Sequence, residues 1–156
     1  MGIFDRFKKQ KVEIIIEDTI ESSIEDSIEG ACALAIDFGK RLSKELDFTV
    51  DSLADLEEIL DCYSKDISVS KPTENQIWSM SVIFGSYLGE VMLINGLSEA
   101  GFFWEKESSS NTPWLVKNDG SHLFPCNKVY KRLVNGAEDN VVYFYRFATE
   151  EFVAQE

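Results

Sequence analysis

Isoleucine and glutamate recur together every four residues near the start of the chain, as Ile16-Glu17, Ile20-Glu21, Ile24-Glu25 and Ile28-Glu29. On a helix of 3.6 residues per turn, that period turns each Ile by about 40° from the last, so an apolar stripe and an acidic row wind slowly side by side. Val12 to Ile16 also fits a short β-run, because β-branched residues dominate it, and helix is expected from about Thr19. Gly30 marks a bend. Beyond it, Leu34, Ala35, Phe38 and Leu42 fall at helical spacing and predict a second segment. Thr49 or Asp51 then caps a helix that carries Leu53, Leu56, Leu60 and Tyr63 on one side and acids on the other.

Residues 64–72 lack an apolar period and end in Pro72, which makes them the best connector in the chain. Thr73-Glu74-Asn75-Gln76 has the form of a capping box, with Thr73 bonding the third helical amide and Gln76 reaching back. A helix is expected from there to about Asn95, with Gly96 as its stop. Residues 77–94 are apolar enough to raise the question of a membrane span, but Glu90 and several Ser and Gly residues interrupt them. A buried central helix is the expectation. Gly85 and Gly89 lie one turn apart and leave a groove where a second backbone approaches closely.

After Gly101 the pattern changes to short aromatic and β-branched runs. Phe102 to Lys106, Trp114 to Lys117 and Ser121 to Phe124 read as strands, and Asn118-Asp119-Gly120 is a hairpin turn between the last two. Pro125 suits the first turn of a helix that bears Val129 and Leu133 and ends at Asn135-Gly136. A last helix from about Glu138 places Val141, Phe144, Tyr145, Ala148 and Phe152 on a buried stripe. The order predicts an α+β fold with N-terminal helices, a central apolar helix, a small antiparallel sheet of about three strands and two C-terminal helices. One domain over residues 1–156 is expected, divided into a basic tip (1–11), an acidic helical part (12–63), the connector (64–72) and the remainder (73–156).

Charge changes the picture most. Lys and Arg number 15 against 28 Asp and Glu, a net −13. Between Glu13 and Asp66 stand 16 acids and four bases, so nearly all of the excess sits in the N-terminal half. A pI near 4.5 opposes binding to phosphate backbones or anionic lipid, which depends on clustered Lys and Arg. Basic protein surfaces are the natural complement, and neither a nucleic acid partner nor an integral membrane segment is expected. Cys32, Cys62 and Cys126 are odd in number and widely spaced, so they read as reduced cytosolic thiols and form neither a disulfide framework nor a zinc site. The tip from Met1 to Lys11 lacks the form of a secretory signal. It reads as a docked or frayed terminus, with presentation to a membrane or chaperone as an alternative.

Candidate chemistry is sparse. His122, Cys126 and Asp119 lie close in sequence, but a nucleophile system needs a base in hydrogen-bond reach and an oxyanion site, which proximity alone does not supply. No catalytic residue, cofactor or metal is assigned. Glu90 sits among apolar residues and so needs a cationic partner, for which Lys131 or Arg132 is the candidate. A pocket around Glu90, Trp104 and Arg132, serving a small-molecule binder or a weak hydrolase, is the alternative to a structural ion pair.

Four stretches together carry a family resemblance: Asp47-Phe48-Thr49-Val50-Asp51-Ser52-Leu53, Gly85-Ser86-Tyr87-Leu88-Gly89-Glu90, Phe103-Trp104, and the run from Pro125 through Val129-Tyr130-Lys131-Arg132-Leu133 to Asn135-Gly136. In this order, across roughly Ala31 to Phe147, the chain resembles a family of small bacterial domains of unknown function. The resemblance implies a shared fold and leaves activity open. Some similar small acidic proteins are immunity partners of secreted bacterial toxins. The Ile-Glu repeat departs from that family's pattern. The resulting expectation is a non-enzymatic cytosolic binding module that meets a basic partner, such as a toxin domain, through Glu17, Asp18, Glu21, Glu25, Asp26 and Glu29. Ile20 and Ile24 are its expected apolar anchors.

Overall fold

The computed structural model describes residues 2–4 and 23–153. Five helices longer than one turn and one sheet make up these residues: α1 (Ile24–Arg41), α2 (Ser52–Ser70), α3 (Glu74–Met92), β1 (Phe103–Lys106), β2 (Pro113–Val116), β3 (His122–Leu123), α4 (Pro125–Asn135) and α5 (Val141–Phe152). A π-helical turn (Leu93–Leu97) ends α3, and a 3-10 turn (Ala137–Asp139) precedes α5. The fold is α+β.

Local sequence explains most boundaries. Ser23 is extended and its side chain accepts from Asp26 N–H, so α1 starts at Ile24; the helix expected from about Thr19 falls, up to residue 22, outside the described residues. Gly30 does not bend the chain; it lies within the continuous α1, whose packing on α3 outweighs the propensity cost of one glycine. Thr49 caps α2 by accepting from Ser52 N–H at 3.2 Å, while the Asp51 side chain makes no cap bond. The expected connector at 64–72 is helical as far as Ser70. Tertiary bonds hold those polar residues in helix: Ser64 donates to the Leu133 carbonyl at 2.8 Å, and Asp66 accepts from Phe4 N–H at 3.1 Å. Lys71, at φ +47°, then ends α2. The Thr73–Gln76 capping box forms in both directions.

α3 is the hub. α1 and α4 pack along it, β2 lies against it, and α2 packs on α4 and α5. Its inward side chains include Met80, Ile83, Phe84, Leu88, Val91 and Met92, all buried, and Phe84 meets the rings of Phe38 at 6.5 Å and Tyr63 at 6.0 Å. Residues 74–97 form a helix long and apolar enough to cross a membrane, and 72% of its most apolar window is buried inside the fold. Residues 2–4 dock on α2 as well. Phe4 is fully buried edge-on against Tyr63 at 5.1 Å, so its ring is not available to touch a membrane.

Both glycines of α3 mark close approaches. A Cβ on Gly85 would lie 2.5 Å from the Cα of Cys126, and one on Gly89 would lie 2.2 Å from the Trp104 indole. The sheet runs β1-β2-β3, antiparallel throughout, with Trp104 opposite Leu115 and Leu115 opposite Leu123. The hairpin turn forms as expected: Lys117 N–H donates to the Ser121 carbonyl, and Gly120 takes φ +93°.

Two glycine substitutions separate packing from backbone strain. Gly85→Ala should lower unfolding stability by about 2–3 kcal/mol or more, because backbone atoms cannot yield to the new methyl. Gly120→Ala, with nothing within 4 Å, should cost only about 1 kcal/mol for its positive φ. Equal costs in urea titrations would contradict the close approach of α3 and α4.

Candidate functional site

α1 presents two neighbouring rows at four-residue spacing, Glu25-Glu29-Ala33 and Ile28-Cys32-Ile36. Both face a groove of about 640 Å³. Its far wall is the end of α3 and the π-turn, with Glu90, Leu93 and Ile94, and β1 with its preceding residue supplies Phe102, Phe103 and Trp104. Phe48 closes one side. Three carboxylates therefore surround an aliphatic and aromatic surface, and no Lys or Arg lines it among the described residues.

Each wall is fixed by interactions that the sequence pattern did not reveal. Gly89 leaves room for the Trp104 ring, and the indole Nε1–H then donates to Glu90 Oε2 at 2.9 Å. The indole thus orients the carboxylate while its ring forms part of the groove. Phe48 has φ +65°, unusual for a bulky side chain. Tyr87 and Asn95 stabilise it from both sides. The Tyr87 hydroxyl accepts Phe48 N–H at 2.9 Å and pairs with Ser52 Oγ at 2.6 Å, while the Asn95 amide donates to the Phe48 carbonyl at 3.0 Å. A strained aromatic held by a buried tyrosine is the kind of local cost that collects at binding sites.

The groove offers no activated nucleophile. Cys32 is its one thiol, and burial first, then the negative charge of Glu90, Cys126 and Glu29, pushes its pKa up to about 12. A neutral thiol is a poor nucleophile at neutral pH. The His122-Cys126-Asp119 arrangement does not assemble either. Cys126 is fully buried against Gly85, with its pKa pushed to about 12 by burial. His122 is exposed between the rings of Trp114 at 5.1 Å and Phe124 at 5.0 Å. Asp119 spends its carboxylate on Ser121 N–H. Among the described residues, no group of three or more His, Cys, Asp or Glu is placed to hold a metal.

The structure divides the sequence-assigned residues. Glu17, Asp18, Ile20 and Glu21 lie outside the described residues. Glu25, Glu29, Glu90 and Trp104 come together in the groove, whereas Ile24 lines a different cavity. Asp26 is exposed in the first turn of α1 and is not a lining residue. Arg132 does not join Glu90. Its side chain is 1% exposed and faces α2, where Nε donates to Glu57 at 2.8 and 3.0 Å and Nη2 to Asp61 at 2.9 Å. Lys131 is exposed, so neither expected cation neutralises Glu90. The pocket expected around Glu90, Trp104 and Arg132 therefore does not exist as one site. Phe48, Ile36 and Ile94 were missed. The i, i+4 row through Ile28, Cys32 and Ile36 was the one available signal; nothing local announces Phe48.

No protein-family model, curated protein or solved structure matches this chain.

Iodoacetamide should add once to the folded protein, at exposed Cys62, and at all three cysteines after unfolding; fast native labelling of Cys32 would contradict its protected state. The unfolded chain ionises its thiols near the ordinary 9.0, whereas the folded chain keeps Cys32 and Cys126 protonated to about 12. Between those values the unfolded state holds fewer protons, so the melting temperature should fall as pH rises through that window. Separately, Arg132→Ala should cost about 3 kcal/mol because it removes a buried side chain and leaves the partly buried Glu57 without its cation, while Asp61 keeps Lys65, and Lys131→Ala less than about 0.5 kcal/mol. Similar costs in urea titrations would mean that the α2–α4 network contributes little.

Proposed function

We propose that the chain is a non-enzymatic, cytosolic protein-binding module whose acidic groove receives a basic segment of a partner. In its most concrete form it is an immunity protein that covers the cationic substrate site of a toxin domain. The observation that carries this reading is the convergence of Glu25, Glu29 and Glu90 with Phe48, Phe103 and Trp104 on one groove. A carboxylate beside an aromatic face suits a guanidinium or ammonium group, which gains both an ion pair and a cation–π contact. Ile94 and Phe103, 58% and 43% exposed, supply apolar area that slows dissociation, while the net charge of −13 speeds encounter with a basic partner. The family resemblance points the same way, since some similar proteins neutralise toxins.

A second reading, a binder of a small organic cation, is favoured by the Trp104–Glu90 hydrogen bond, which holds one carboxylate oriented inside the groove. It dispenses with Arg132 and with hydrolysis.

The test is capture of partners by the tagged protein from its native cells, at low salt and at about 0.5 M salt, where charge attraction is screened. A stoichiometric basic protein should be captured at low salt and lost at high salt. The double variant Glu25→Lys, Glu29→Lys should weaken it by roughly thirty- to a thousandfold, about 2–4 kcal/mol. Both positions are exposed, and the Ser23 cap is retained, so the fold should survive. Unchanged capture by a correctly folded double variant would overturn the groove as the binding surface. Failure to capture any protein, with Glu90→Gln abolishing binding of a small organic cation such as agmatine, would favour the second reading.

A further inference from the structure

On the other flank of Ile28 a second cavity, of about 390 Å³, opens between α1 and α3. Ile24, Ile28 and Ala31 form one wall, and Trp78 and Val82 the other. The lining contains one feature that the fold does not explain. Ser86 is fully buried, and its Oγ has no hydrogen-bond partner among the described residues. Serines inside helices ordinarily donate to the carbonyl four residues back. Ser79 and Ser81 on the same helix do so, to the carbonyls of Asn75 and Ile77, each at 2.8 Å. Ser86 does not, and the carbonyl it would use, that of Val82, instead faces the Cys126 thiol at 4.0 Å. A buried hydroxyl without a partner is destabilising, so a polar atom supplied from the cavity would relieve a cost that the protein otherwise carries.

The remaining lining suits a neutral guest. Lys106 is the one charged side chain among the described lining residues, and the exposed Asn75 and Asn111 put amides at the rim. The roof is preformed. The Glu107 carboxylate accepts the backbone N–H groups of Ser109 at 3.1 Å and Ser110 at 2.8 Å, together with both hydroxyls. These bonds fix the turn at Ser109 and Ser110, which leads into the lining residues Asn111 to Pro113, and hold the Glu107 pKa down to about 2, led by the two serine side chains. We propose that this cavity is a binding site for a small, uncharged, largely apolar ligand whose single hydrogen-bonding group pairs with Ser86 Oγ. The volume and the mainly apolar walls fit that class of ligand, and the pairing would fix its orientation. This site is distinct from the acidic groove and does not depend on the function proposed for it.

N-phenyl-1-naphthylamine, a neutral fluorophore with one N–H donor, is a suitable probe. Titrated into the full-length protein, it should give saturable, blue-shifted emission at one equivalent. In spectra of the indole N–H groups, Trp78 should shift while Trp104, which lines the groove, stays in place. Ser86→Ala should weaken binding about tenfold while leaving the melting temperature of the free protein unchanged or higher. Ala31→Leu should abolish binding by filling the cavity. If that variant fails to fold, Ser86→Ala decides alone. Absence of saturable binding would overturn the proposal, as would a response at Trp104 in place of Trp78, or a Ser86→Ala affinity within twofold of the parent.

Discussion

Helices α3 and α4 meet with no side chain between them at Gly85, where the backbone of Cys126 sits within van der Waals reach of the helix. That approach fixes where α4 begins. With Pro125 and Cys126 held there, the strand leading in from β3 and the sheet as a whole take their position against α3. One turn along, Gly89 gives the same latitude to Trp104, whose indole lies on the helix and reaches the neighbouring Glu90. The groove wall, the orientation of its carboxylate and the placement of the sheet thus descend from two missing methyl groups. A second constraint, Arg132 clasped by Glu57 and Asp61, secures the far side of α4 to α2. Because Glu57 also accepts Val141 N–H at 3.1 Å, the same carboxylate anchors the start of α5.

The two cavities divide the chemistry of the molecule. One is acidic and aromatic; the other is mainly apolar, with the unpartnered Ser86 hydroxyl in its wall. Ile28 lines both, so a single ridge of α1 separates the acidic groove from the mainly apolar cavity. The wall is a helix end that begins at a serine cap, and its first turn carries Glu25 and Asp26 where acids also favour the helix dipole. Glu25, which faces the groove, therefore also stabilises the helix that displays it.

Features set by neighbours in sequence were legible. The Thr73–Gln76 capping box, the Asp119-Gly120 turn, Pro125 at the head of α4 and the Gly85-Gly89 pair each depend on residues at most a few positions apart. The α+β order could therefore be read directly. What escaped were pairings across long separations. Arg132 finds Glu57 some 75 residues away, and no periodicity distinguishes that acid from the nearer Glu90. Residues 64–72 looked like a connector because their stabilising bonds, to Leu133 and Phe4, come from elsewhere in the chain. Gly30 has the local propensity of a bend, and only the packing of α1 on α3 overrides it. Of the groove, the glutamates and Trp104 stand out in the sequence for separate reasons, and only the tertiary structure places them on one surface.

The glycine contacts also bear on how this fold can diverge. A lineage that keeps the α3–α4 approach is free to change nearly every surface position, but it must retain small residues at 85 and 89, and a flat aromatic at 104 can persist only while 89 stays bare. Substitution at one of these positions forces a compensating change at a named partner: 85 with 126, and 89 with 104 or 125. Relatives too distant for overall similarity would then still be recognisable by this linked set, in which two glycines spaced by one helical turn precede a tryptophan fifteen positions after the second of them and a proline-led helix beyond.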